Sequence, residues 1–192
     1  MHNFIKGKDM LETKNSSVVA NEKINERKLT NAEKIILGMQ QELPKYINNG
    51  YGPFMAAVYD SDGNLIAKAV NTVITDNCSG NHAEINDIKL AEEKLGTYDL
   101  SPYNLSLYIT SEPCMMCIGA IIWSGIKAVY YGVPSERVSE ITGFDEGFKP
   151  DWITEFKNRG ITVYGKIAQD VGEKVLHNYV SQGHKIYKPT RE

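Results

Sequence analysis

Cysteine is scarce in this chain: three among 192 residues, alongside two tryptophans and seven prolines. Three thiols cannot build the disulfide framework of a small secreted domain. Long apolar runs are missing too. No stretch reaches the roughly 20 residues needed to span a bilayer, and the N-terminus lacks the apolar centre of a secretory leader. The expected compartment is therefore the cytoplasm, with no membrane partner. A basic excess is also absent. Lys and Arg number 21 against 24 Asp and Glu, for a formal net charge of −3, so no positive field points to a nucleic acid backbone. There is no internal repeat. What is present, 42% apolar residues, suffices for one domain with a proper core.

Two of the three cysteines are spoken for. His82-Ala83-Glu84 is followed, 32 positions after the histidine, by Pro113-Cys114-Met115-Met116-Cys117. Imidazole and thiolate are favoured zinc ligands, and three of them leave one tetrahedral position open to water, whose pKa the metal lowers toward neutrality. Glu84, two residues from His82, is a carboxylate placed to move protons beside that metal. The order His-x-Glu…Pro-Cys-x-x-Cys resembles the signature of zinc-dependent nucleobase deaminases. One zinc ion per chain, held by His82, Cys114 and Cys117, is the expected cofactor.

Local pattern explains the spacing. Residues 81–96 carry an apolar stripe of mainly helical period, Ile85, Ile88, Leu90, Ala91 and Leu95, which predicts a helix with His82 and Glu84 in its first turn. Residues 105–111 alternate as a strand does. Glu112-Pro113 then opens a second helix, with proline in its first turn and the two cysteines on one face. Two helix N-termini thus converge, and each favours the anionic form of its ligands. Two plainer readings stay open. Cys-x-x-Cys is also a redox spacing, but that leaves His82 idle. A structural zinc site needs a fourth protein ligand, and Cys78 is the one spare thiol. Neither reading uses Glu84.

Elsewhere, residues 1–28 are polar, charged and aperiodic and read as a mobile arm, which leaves 29–192 as the zinc-dependent deaminase domain. Thr30 and Glu33 have capping-box spacing ahead of Ile35, Ile36, Met39, Leu43 and Ile47. That predicts a first helix, which Pro44 should kink or shorten. Residues 53–59 and 65–71 predict a hairpin around Asp60–Gly63. Strands are expected at 127–133 and 160–165, and helices at 135–141 and 169–181. Strands alternating with helices after a hairpin predict a three-layer α/β/α domain with a mixed central sheet.

From about Gly50 to Tyr187 the chain resembles the cytidine deaminase-like superfamily, and within it the bacterial guanine deaminases. Gly52-Pro53-Phe54, Asn71, His82-Ala83-Glu84, Glu112 to Cys117 and Trp123 match pieces of that family's pocket. Gly143-Phe144-Asp145 and the segment from Asn178 to Tyr187 are similar to the elements that supply it with an acidic residue and a C-terminal tyrosine. The resemblance implies that Asn71 and the Ala83 backbone read the edge of a small base and that Phe54 and Trp123 wall it. It further implies that Asp145 bonds substrate or relays a proton, and that Tyr187 in an active-site-covering tail closes the site. Glu84 would shuttle the protons of hydrolytic deamination, guanine giving xanthine. A homodimer is expected, with exchange of C-terminal segments as one way to build it. The sequence departs from the family at Met55, where glycine is usual and where the larger side chain should reshape the pocket. It also departs in a hairpin turn one residue longer and in the N-terminal arm. A tRNA adenosine deaminase, a guanosine, cytidine or triazine deaminase, and a non-catalytic zinc scaffold remain as alternatives, because the metal motif does not select the ring.

Overall fold

The computed structural model describes residues 30–188; the arm expected over residues 1–28 lies outside them. Strand β1 (Met55–Tyr59) shows what organises the rest. Ala56 and Val58 point to one side, Met55 and Ala57 to the other, and all four are fully buried. A strand covered on both faces belongs at the centre of a layered domain. It pairs antiparallel with β2 (Leu65–Val70) and with β3 (Ser106–Ser111). Strands β4 (Ala128–Val133) and β5 (Thr162–Tyr164) continue the sheet parallel to β3, in the order β2-β1-β3-β4-β5. The mixed sheet is as expected.

Among the described residues, six α-helices cover it in two layers. Helices α1 (Asn31–Ile47), α4 (Ser135–Thr142) and α6 (Gln169–Ser181) pack through Ile36, Leu43, Val138 and Leu176 against Met55, Ala57 and Tyr108. Helices α2 (Ala83–Leu95), α3 (Met115–Ser124) and α5 (Trp152–Asn158) pack through Ile88, Ile121 and Phe156 against Val58, Leu107 and Val129. Each layer buries the stripe that helical periodicity exposes on one face.

Four local expectations need correction. Pro44 does not shorten α1, which runs three residues past it to Ile47. Pro113 lies just outside α3 rather than in its first turn, because Cys114 is the N-cap residue. His82 likewise caps α2 from its N-terminal side. Met55 joins the buried cluster of the α1 layer and is absent from the wall of the site described below, so its size fills core instead of reshaping that pocket. Helix α5 was not expected at all. It is seven residues long, started by Asp151, whose side chain accepts from Thr154 N, and anchored by two apolar residues, Trp152 and Phe156.

One buried group is out of keeping with this packing. Asp87, on α2, is wholly buried, and neither carboxylate oxygen has a hydrogen-bond partner among the described residues. Burial, and then the charge of Glu84 one turn before it, push its carboxyl well above the ordinary value of 3.8. Above that value the unfolded chain has released a proton that the folded chain still holds, so this group's contribution to stability is lost as pH rises through the folded pKa. Asp87→Asn removes that slope. Its stability relative to the parent should increase from acid to neutral pH in urea unfolding, whereas parallel pH curves for the two proteins would refute the assignment.

Candidate active site

Helices α2 and α3 begin at the same place because a three-residue connection joins β3 to α3, and the loop after β2 brings the chain back to α2. Asn86 ties that loop down, its amide donating to Val70 O and Thr72 Oγ1 at 3.0 Å each. At the meeting point His82 Nδ1 lies 3.5 Å from Cys114 Sγ and 3.7 Å from Cys117 Sγ, and the two sulfurs are 3.6 Å apart. Tetrahedral bonds of ordinary zinc–sulfur and zinc–nitrogen length set such donors about 3.5–3.8 Å apart. The three donors therefore fit a tetrahedral metal, and both thiols are unbridged. The group is one that could hold a metal ion.

The acid–base character of these groups agrees with that use. A hydrogen bond from Cys117, and the nearby His82, hold the Cys114 thiol down to about 4 in spite of burial. Cys117, sharing the remaining proton and more deeply enclosed, is pushed up. A thiolate at a helix cap is also where the helix field favours negative charge. Glu84 is 5% exposed. Burial first, then the Cys114 charge, push its carboxyl up to about 7, which suits a group that must both take and give a proton near neutrality.

A cavity of about 650 Å³ opens over these residues. Asn71 stands in its wall, buried, with Oδ1 accepting from Val73 N at 3.2 Å and Nδ2 donating to Tyr187 Oη at 2.7 Å. Its backbone is pinned on both sides, N donating to Phe54 O at 3.0 Å and O accepting from Gly52 N at 3.1 Å. Phe54 packs on Phe144 at 5.5 Å between ring centroids, and Phe144 on Tyr187 at 4.7 Å. Tyr187 arrives because Gly183, in the left-handed region, ends α6, with His184 N donating back to Tyr179 O. The Tyr179 hydroxyl then donates to Lys185 O at 2.6 Å. Within one chain the tail lies on its own pocket.

Of the residues singled out from sequence, His82, Glu84, Cys114, Phe54, Asn71, Asp145 and Tyr187 border this cavity. Cys117 is enclosed directly behind it, and Ala83 is wholly buried at the first position of α2. Asp145 sits at the rim, its Oδ1 accepting from Gly147 N at 3.0 Å. Trp123 is not brought there. It stands on the outer face of α3, 89% exposed, because the inward face is taken by Cys117, Ile118 and Ile121. Sequence reasoning matched Glu112 to the family's pocket without giving it a role and missed Glu146 and the loop carrying Cys78; all of these line the cavity. Glu112 had a signal in its place beside Pro113-Cys114, while the others had none.

A family model described as MafB19-like deaminase matches residues 14–157, three quarters of the chain. The chain belongs to the MafB19-like deaminase family. Among curated relatives of this chain, the guanine deaminase of Bacillus subtilis is 41% identical over 102 residues, 53% of this chain, and the chain spans 64% of that enzyme's length. A tRNA-specific adenosine deaminase of Buchnera aphidicola is 40% identical over 131 residues, covering 68% of this chain and 82% of that one. A solved guanine deaminase from Nitrosomonas europaea superimposes with a TM-score of 0.76 at 37% identity, covering 81% of this chain and 87% of the other. A solved complex with 2,6-diaminopurine does so at 0.77 and 37%, covering 84% and 88%.

Two outcomes follow from this geometry. Elemental analysis of the parent should give one metal ion per chain and Cys117→Ser should lose most of it; equal metal in both proteins would remove Cys117 from the ligand set. Gly52 has no room for a side chain, since a Cβ there would lie 2.6 Å from Asn71 Oδ1. Gly52→Ala should therefore displace Asn71 and cut turnover about tenfold or more with metal content unchanged; parental kinetics would show that Asn71 need not stay in place.

Proposed function

We propose that this chain is a zinc-dependent hydrolytic deaminase of a purine base, converting guanine and water to xanthine and ammonia. The observation that carries this reading is the triad of His82, Cys114 and Cys117 beside the buried Glu84, in a pocket whose wall presents the Asn71 amide. Zinc held by the triad would supply a Lewis acid that makes water a nucleophile at neutral pH. Glu84 takes a proton from the attacking water and delivers it to a ring nitrogen. Its carboxylate then takes the proton of the added hydroxyl and passes it to the departing amine, so one side chain serves both halves of the reaction. Asn71 offers an amide donor and acceptor to the edge of the base, with the Ala83 backbone beside Glu84 as a second reader. Phe54 and Phe144 give apolar faces for a flat ring, and Asp145 at the rim bonds or relays a proton to the substrate.

The names of the relatives and their nucleobase ligands support a small base as substrate, and so does the tail. With Tyr187 bonded to Asn71, the C-terminal segment takes up part of the pocket wall, which suits a free base better than a base attached to a polynucleotide. A cytoplasmic enzyme is part of the same proposal; no described helix is long and apolar enough to cross a membrane. So is a homodimer, supported by the exposed apolar face of α3, where Met115 and Met116 are each 41% exposed beside Trp123. Exchange of C-terminal segments between copies belongs to the same proposal, as one way to build that dimer.

Glu84→Gln keeps shape and removes the proton carrier. Ammonia release should fall about 10²–10⁴-fold with zinc and fold intact, and near-parental turnover would overturn the role of Glu84. In a panel of guanine, guanosine, cytidine and an adenosine-bearing anticodon stem-loop, guanine should be fastest. Faster turnover of the stem-loop would assign the enzyme to tRNA instead.

A further inference from the structure

The segment from Gly143 to Pro150 contains no helix or strand, yet it gives the cavity Phe144, Asp145 and Glu146. Its first half is held by the burial of Phe144 and by Phe144 N donating to Thr142 Oγ1 at 3.1 Å. Its second half carries the left-handed Gly147, whose N–H bonds only Asp145 within the same segment, and an exposed Phe148. The anchor there is Lys149. Its side chain is 15% exposed, and its ammonium lies 3.4 Å from Glu112 Oε1, 3.0 Å from Glu146 Oε2 and against Ser135 Oγ. Glu112 is in turn fixed from two further elements, with Oε2 accepting from Ser135 N and Oε1 from Trp152 Nε1, each at 3.0 Å. One ammonium thus joins the second half of the segment to the turn that carries Cys114. It also separates two carboxylates that are themselves largely enclosed, and that repel one another once it is gone.

We propose that Lys149 is a positioning residue that, by bridging Glu112 and Glu146, sets the 143–150 segment and so places Asp145 and Phe144 against the bound substrate. The reading rests on the deaminase function above. Lys149 touches neither the metal ligands nor Glu84, which α2 and α3 carry, so its effect should fall on substrate binding more than on chemistry.

Lys149→Met keeps the length of the side chain without the charge, and Lys149→Arg keeps the charge. In Lys149→Met, amide hydrogen exchange should quicken across 143–149 while that of α2 and α3 stays parental and the metal is retained. KM for guanine should rise about 10- to 100-fold, kcat should change less, and Lys149→Arg should recover most of the loss. Parental exchange in Lys149→Met overturns the proposal, as does quickened exchange with an unchanged KM, which is what a purely structural lysine would give. Exchange is read without turnover. A parent inactive on every base therefore refutes the proposed function alone and leaves the placing of the segment to be judged by exchange.

Discussion

Three donor atoms within 3.7 Å of one another, at the starts of two helices, are the constraint on which the rest of this structure depends. Such a cluster is costly without a purpose, since a buried thiolate needs compensation. The compensation is built in stages. Strand β3 lies in the middle of the sheet, so α3 starts at a fixed height above it. The loop after β2 is tied back by Asn86 to Val70 and Thr72, so α2 starts at the same height. The two helix N-termini then supply the field that a thiolate and a carboxylate require. Sheet order, loop closure and helix capping serve one small volume.

Around that volume the site divides into two parts of different origin. The triad and Glu84 stand on helices packed into the core, and they suit hydrolysis of an amino group on many rings. Relatives named for guanine and for adenosine in tRNA both match this chain, as a metal site indifferent to the ring allows. Under the proposed function, choice of base would fall to Asn71, to the segment with Phe144 and Asp145, and to Tyr187, which line the cavity. None of these lies inside a helix or strand. Loops and tails carried on a rigid scaffold are where binding preferences change most readily, and an amide or carboxylate left without its partner rejects a wrong ring more strongly than an apolar wall can.

Much of this was legible in the sequence, for physical reasons. The donors follow a spacing that two helix starts impose, the strands alternate, and the helices carry apolar stripes, so the layered fold and the meeting of the triad with Glu84 could both be read. The misreadings have physical causes as well. Which face of β1 looks toward the pocket depends on pairing phase, and a strand buried on both faces gives no alternation to fix it, so Met55 was placed on the wrong side. Trp123 falls between the inward-facing Ile121 and Ser124 of α3, and an aromatic residue in an apolar helix gives no sign of whether it points in or out. Helix α5 shows only two apolar anchors four apart. The bridge from Lys149 to Glu112 spans 37 positions, and such ion pairs follow from the fold alone.

Helix α2 shows stability and chemistry pulling in opposite directions. Ala83, Ile88 and Ala91 pack it onto the sheet, while Glu84 and Asp87, one turn apart, put two carboxyls into the same interior. Their burial raises both. For Glu84 this is useful, since a carboxyl balanced near neutrality can carry a proton in each direction. For Asp87 no hydrogen bond offsets the loss of water. A helix bearing such a pair needs support from outside itself. The sheet supplies part of it, and a metal bound to the folded triad and not to the unfolded chain would add to it by mass action. The group that supplies the chemistry would then also stabilise the helix that carries its proton donor.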